Sequence, residues 1–169
     1  PGVGAAGAAM EDLKSTGVDR VLWEAFESGM PFMGICVGAQ IILERSEEDR
    51  TECLGILKGA VLRFPEPLAD RGGERLKIPH IGWNGLRILG SHPVLAGIRK
   101  SDEFYFDHSY YTLPSREACI LGTTDYGMDF PSVIGERNLI ATQFHPEKSG
   151  PPGLRILENF SRWDGRYAE

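Results

Sequence analysis

Cys36 stands between two glycines in Gly34-Ile35-Cys36-Val37-Gly38-Ala39-Gln40, directly after the apolar run Pro31-Phe32-Met33. A cysteine that can form its thiolate is a nucleophile. The pattern G-x-C-x-G between a strand and a helix has the form of a nucleophile elbow, in which the central residue takes a strained backbone and glycines on either side relieve the crowding. Such a turn points the sulfur at the start of the following helix. Free N–H groups and the helix dipole there favour the thiolate over the ordinary thiol pKa of about 8.5. The N–H of Val37 is then set to bond an oxyanion. Without the flanking glycines, a lone cysteine in an apolar setting reads as an inert core residue.

A thiolate nucleophile needs a base, and the chain offers His80, His92, His108 and His145. His145 follows a strand candidate in Gln143-Phe144-His145-Pro146-Glu147, and strand ends are where sites assemble in open α/β sheets. Pro146 keeps His145 out of the helical region. In an extended stretch side chains two apart face the same way, so Glu147 can hold the ring N–H of His145 and fix its orientation. His108 is the rival, since it also follows a strand candidate and has Asp107 beside it. Adjacent strand residues point to opposite faces, however, which weakens that pairing. His80 and His92 have no orienting acid in view.

These residues need elements to carry them. Ala5 to Ser28 has helical periodicity, interrupted near Gly17 and closed by Gly29, with Leu13, Val21, Leu22, Ala25 and Phe26 as its apolar stripe. Pro31 to Ile35 reads as a buried strand and Val37 to Arg45 as a helix. Further strands are expected at Ile56 to Phe64, Leu86 to Leu89, Phe104 to Phe106, Cys119 to Thr123, Ser132 to Ile134 and Leu139 to Phe144. Several follow one another without helices between them, so part of the sheet is antiparallel. Pro65 to Gly73 is loop. A last helix opens at Pro151-Pro152 and carries Leu154, Leu157, Phe160 and Trp163 at helical spacing. No repeat or linker divides the chain, which reads as one α/β domain over 1–169.

Composition narrows the chemistry. The net charge of −6 argues against a nucleic-acid backbone as partner. Three cysteines without a C-x-x-C pair resemble neither a disulfide framework nor a zinc site and suit a reducing cytoplasm. No apolar run approaches the ~20 residues of a membrane span.

Taken together, GICVGAQ, QFHPEKS and the opening PGVG resemble the class I, triad-type glutamine amidotransferases. The segments PHIGWN (79–84), FYFDHSYY (104–111) and TTDYG (123–127) are similar to one branch of that family, the glutaminase subunit of imidazole glycerol phosphate synthase in histidine biosynthesis. The resemblance runs from Pro1 to Trp163. It implies a three-layer, flavodoxin-like fold with a mixed sheet and, ahead of PGVG, a β-α-β portion of about 30 or more residues that this chain lacks. It implies that Cys36 attacks the side-chain amide of glutamine, that His145 moves the proton and that Glu147 orients His145. The oxyanion would be held by the N–H of Val37 and by the Gly2-Val3 peptide. Gly4, Gln40, Ser109 and Tyr110 match positions that hold glutamine, the last two mainly through backbone groups.

No cofactor and no metal is implied. Ammonia would pass to a (β/α)₈-barrel cyclase in a heterodimer, with Trp83, Asn84 and Lys148 near the interface, and the site would stay dormant until that partner binds. Val37, Ala39 and Asp107 depart from the residues usual at their positions, and Ala39 leaves space that a neighbour must fill. Two other readings stay open: the amidotransferase part of anthranilate or GMP synthesis, and a catalytically silent binding subunit.

Overall fold

The computed structural model describes residues 1–2 and 4–166. Helices α1 (Ala6–Thr16) and α2 (Val18–Ser28) meet at Gly17, which takes φ 73°, and α2 closes at Gly29, as the periodicity predicts. Their buried face is narrower than the expected stripe. Phe26 is buried and Leu13 and Leu22 pack on the core, but Val21 is 56% exposed. The chain continues through β1 (Phe32–Ile35) and α3 (Val37–Ile41). Helix α3 stops four residues short of the expected Arg45, because Arg45 and Ser46 are drawn into a strand, β2 (Arg45–Ser46), that pairs in parallel with Ala60 and Val61. Tertiary pairing outweighs helix propensity there.

The remaining elements are β3 (Thr51–Glu52), β4 (Gly59–Arg63), β5 (His80–Gly85), β6 (Arg87–Ile88), β7 (Glu103–His108), β8 (Tyr110–Pro114), β9 (Ile120–Asp125), β10 (Asp129–Glu136), β11 (Leu139–Thr142) and α4 (Gly150–Arg162). Strands β5 and β8 are absent from the sequence reading. Gly82 and Gly85 dilute the pattern of β5, and a single residue, Ser109, separates β7 from β8, too little for a turn signal.

The largest sheet has the order β1-β11-β10-β9-β6. The β1–β11 pair is parallel and the others antiparallel, so the sheet is mixed, as expected. A second sheet runs β3-β2-β4-β8, and β5 pairs with β7 alone. Along β11 alternate residues serve opposite layers. Leu139 and Ala141 join the core under α1, α2 and α3, while Ile140 joins the core that holds Ile156 and Trp163 of α4. Burial on both faces explains why β11 reads as an unbroken apolar run. Ala39 is 1% exposed and sits inside the first core. Five phenylalanines (Phe64, Phe104, Phe106, Phe130 and Phe144) are almost wholly buried in the second, each worth about 1.5–3 kcal/mol of burial.

Helix α4 is rotated from the expected face. Ile156 and Trp163 are buried and Phe160 is partly so, but Leu154 is 61% exposed. The cause is Gly153, where a Cβ would stand 2.0 Å from the Pro146 carbonyl oxygen; the helix backs directly onto the turn that carries Glu147. Replacing glycine by alanine inside a helix ordinarily gains up to ~1 kcal/mol. Gly153→Ala should instead lose about 1–3 kcal/mol through overpacking, read as a lower urea midpoint at constant m.

Candidate active site

The elbow follows from the pairing of β1 with β11. Ile35 lies opposite Thr142, and the N–H of Cys36 donates to the Thr142 carbonyl at 2.8 Å, extending the ladder by one residue beyond β1. The chain then reverses into α3 with Cys36 at φ 52°, ψ −108°, a conformation that costs an L-residue of order 1–3 kcal/mol. Gly34 permits the close return: a Cβ there would lie 2.7 Å from the carbonyl oxygen of Gly38. Gly38 has a different role from the one expected, since a Cβ on it would meet nothing within 4 Å. Only the first glycine relieves crowding between turn and strand.

Cys36 is 6% exposed and borders a cavity of about 260 Å³ together with Gly4, Val37, Gln40, Glu48, Pro79 and Asp107 to Tyr110. This is smaller than the ~300–1,000 Å³ of sites for drug-sized ligands, and suits something the size of an amino acid. The sulfur lies 3.9 Å from the Asp107 carbonyl and 3.9 Å from Gln143 Nε2. Burial pushes its pKa up to about 11; the Val37 N–H opposes this, and the charges of Asp107 and Glu147 add to it. The expectation of a thiolate favoured by the elbow is therefore corrected. Helix α3 has only five residues, too short a dipole to offset the loss of water around the charge. A larger, largely apolar cavity of about 550 Å³ lies between α1, α2 and the elbow. Cys36, Gln40 and Tyr110 do not open into it.

His145 is 1% exposed and lies three residues past the end of β11, the strand parallel to β1. Its Nδ1 is 2.7 Å from Glu147 Oε1, and because a carboxylate accepts, Nδ1 carries the hydrogen. Nε2 is buried with no hydrogen-bond partner. No hydrogen bond joins it to Cys36 among the described residues. The His145–Glu147 contact arises differently from the sequence expectation: residues Pro146–Lys148 form a 3-10 turn, which folds Glu147 back toward the ring. Ser149, to which the sequence pattern gives no role, secures this turn. Its hydroxyl donates to the His145 carbonyl and accepts the Tyr105 N–H at 2.9 Å, while the His145 N–H donates to the Tyr105 carbonyl at 2.9 Å.

Gln40 Nε2 donates to the Tyr110 carbonyl at 3.0 Å and to Gln143 Oε1 at 3.3 Å, and the Ser109 carbonyl accepts the Phe64 N–H at 3.1 Å. Gly4, Gln40, Ser109 and Tyr110 all border the Cys36 cavity. Gly2 packs on Val37, with 3.1 Å between a notional Cβ and Val37 Cγ1; Val3 lies outside the described residues. Glu48, missed by sequence reasoning inside an acidic surface stretch, borders the same cavity, and its carboxylate accepts the Ala6 N–H at 2.7 Å.

The rival histidines are engaged elsewhere. His108 bonds Tyr110 O and His80 through its two nitrogens, and His92 Nδ1 accepts the Val94 N–H. Of the expected interface residues, Trp83 is 54% exposed and stands edge-on to Tyr105, over which Lys148 Nζ lies at 5.9 Å. Asn84 is half-buried and donates to the Asp125 carbonyl at 2.9 Å. Among the described residues, no group of three or more His, Cys, Asp or Glu is placed to hold a metal ion, and no helix is long and apolar enough to cross a membrane.

In this α/β fold a cysteine on a strand-to-helix elbow follows β1 and an acid-bound imidazole follows β11, the strand paired in parallel with it. The family model "Glutamine amidotransferase class-I" matches residues 1–162. The chain belongs to that family. It is 45% identical to the imidazole glycerol phosphate synthase subunit HisH of Desulfovibrio desulfuricans, covering 100% of this chain and 80% of the relative. It is 48% identical to the subunit of the same name from Nitratidesulfovibrio vulgaris, over 96% of this chain and 76% of the relative. A crystal structure of a glutamine amidotransferase superposes with a TM-score of 0.66 at 20% identity, over 94% of this chain and 76% of the other. A glutamine amidotransferase from Thermotoga maritima gives 0.60 at 16%, over 95% and 60%. Both structures share the fold.

With its pKa raised to about 11 by burial, Cys36 rests as the thiol at pH 7. Because the shift is upward, reactivity grows with pH. Alkylation of Cys36 by iodoacetamide, read by mass spectrometry at that residue, should be slow at pH 7 and rise about tenfold per pH unit between pH 8 and 10. Fast alkylation independent of pH would show that the thiol is already ionised.

Proposed function

We propose that this chain is the glutaminase subunit of an imidazole glycerol phosphate synthase, acting in the cytoplasm as half of a heterodimer with a (β/α)₈-barrel cyclase. Its identity of 45–48% to subunits of that name over nearly the whole chain carries the reading, supported by a buried imidazole whose outer nitrogen is held by Glu147 and whose inner nitrogen is unpaired. Glutamine enters the cavity beside Cys36. Its α-ammonium meets the Glu48 carboxylate and its backbone-like end lies along Ser109 and Tyr110.

His145 Nε2 takes the thiol proton as sulfur bonds to the amide carbon of the side chain. The oxygen of that amide becomes an oxyanion facing the Val37 N–H. His145 returns the proton to the nitrogen, the C–N bond breaks, and ammonia leaves a glutamyl thioester. Water, deprotonated by the same imidazole, then releases glutamate and restores the thiol. Glu147 holds the Nδ1–H through both steps and stabilises the imidazolium.

A thiol protonated in the resting state and not bonded to its base is the expected state of a subunit that waits for its partner. The cluster of exposed Trp83 and Lys148 around half-buried Tyr105 adjoins Glu147 and supplies the surface on which a barrel could act. Glutamate release should be low for the chain alone and rise when the barrel and its nucleotide ligand are added. Cys36→Ser should abolish it while ammonia-dependent cyclisation persists, and His145→Ala should lower kcat by about 10²–10⁴-fold. Equal glutaminase rates in wild type and Cys36→Ser would rule the mechanism out.

A further inference from the structure

Two buried histidines adjoin the cavity without serving as its base, and the hydrogen bonds around them have a single consistent direction. His80 on β5 lies opposite His108 on β7, and they are 2% and 5% exposed. The Tyr110 carbonyl can only accept, so His108 Nδ1, at 2.8 Å, donates to it. In a neutral ring Nε2 is then an acceptor, and it faces His80 Nδ1 at 3.0 Å. His80 must therefore carry its hydrogen on Nδ1, which leaves its Nε2 to accept from Asn84 Nδ2 at 3.4 Å.

The Asn84 amide is not free to turn over. Its nitrogen also donates to the Asp125 carbonyl at 2.9 Å, and its oxygen accepts the Gly85 N–H at 2.8 Å. Donation thus runs from Asn84 through His80 and His108 to the Tyr110 carbonyl, set at both ends by backbone oxygens. Protonating either ring would put two donors face to face, and burial holds both pKa values low, at about 4 for His80 and about 3 for His108. The His80 ring is further gripped between Phe106, at 4.7 Å, and Tyr126, at 3.9 Å, both nearly parallel to it.

The target of the relay is the carbonyl that Gln40 Nε2 also holds, at 3.0 Å. Gripped from two sides, it fixes the backbone that borders the cavity at Ser109 and Tyr110. We propose that His80 and His108 are positioning residues, a one-directional imidazole pair that sets the Ser109–Tyr110 backbone for substrate and ties its placement to Asn84, next to exposed Trp83 on β5. The proposal rests on the glutaminase reading for the identity of that substrate. A displacement of β5 would reach the substrate-binding backbone through two rigid rings, with no mobile side chain between.

The test compares two electrophiles on Cys36, in the chain mixed with the cyclase barrel: a diazoketone analogue of glutamine, which needs the Ser109–Tyr110 backbone, and iodoacetamide, which does not. His108→Phe and His80→Phe should each slow labelling by the analogue ~10-fold, as expected for one buried hydrogen bond broken, and leave iodoacetamide within about twofold. The double variant should be no slower than His108→Phe alone, because the two act in series. Analogue labelling at the wild-type rate in both variants would overturn the relay. So would equal slowing with both electrophiles in variants that remain folded.

Nitrogen NMR of the unmutated protein at neutral pH decides the matter should the variants fail to fold. Both rings should be neutral with the hydrogen on Nδ1, the less common form of free histidine, and a hydrogen on Nε2 of either ring overturns the proposal. A wild-type chain that takes iodoacetamide but never the analogue would instead overturn the glutaminase reading, with the tautomers still judging the relay.

Discussion

The site depends on one hydrogen bond, that of the Cys36 N–H to the Thr142 carbonyl. It is the last rung of the parallel ladder between β1 and β11, and it aligns the ends of two strands that are about a hundred residues apart in the chain. Parallel strands end on the same side of a sheet, so whatever follows each one is delivered to the same edge. After β1 comes the cysteine turn and after β11 the imidazole and its acid. An antiparallel pairing of the same two strands would put Cys36 and His145 at opposite ends of the sheet.

Around this edge the molecule gives up stability for geometry. Cys36 holds a positive φ that its side chain disfavours, and His145 keeps a buried nitrogen without a partner, which costs about 1–3 kcal/mol for an unmet polar atom. Both are tolerated because their surroundings are rigid. Phe104 stacks on Phe144 at 4.3 Å, the Tyr105 backbone clamps His145, and α4 presses on Pro146 through Gly153. The thiol itself carries no such penalty while protonated. Burial that makes the thiolate costly also keeps the thiol unreactive.

The β5–β7 pair separates two environments. Its inner side carries His80, Phe106 and His108, all buried, and its outer side carries Ile81, Trp83, Tyr105 and Asp107, exposed or partly so. Strand alternation thus gives one thin ribbon both the support of the cavity and an apolar outer face. Asp107, beside His108 in the chain, lies on the opposite face, as strand alternation predicts. Its charge acts on Cys36 as one of the influences that raise the thiol pKa.

What the sequence determined is what short spacing can encode. The elbow is marked by Gly34 and Cys36, the His145–Glu147 contact by the Pro146 turn between them, and the breaks at Gly17 and Gly29 by the backbone freedom of those two residues. The mixed sheet follows from a local pattern too, strands that succeed one another without helices between them. Residues whose role depends on distant partners left no such trace. Glu48 reads as surface charge until α1 folds over it, Ser149 as a helix flank until Tyr105 arrives, and His80 as a histidine without an orienting partner until β7 brings His108 opposite. The thiol pKa was misjudged for a related reason. A helix start after Cys36 is visible in five residues, whereas the desolvation that outweighs it comes from elements throughout the chain, and only the tertiary structure sets how much water the sulfur keeps.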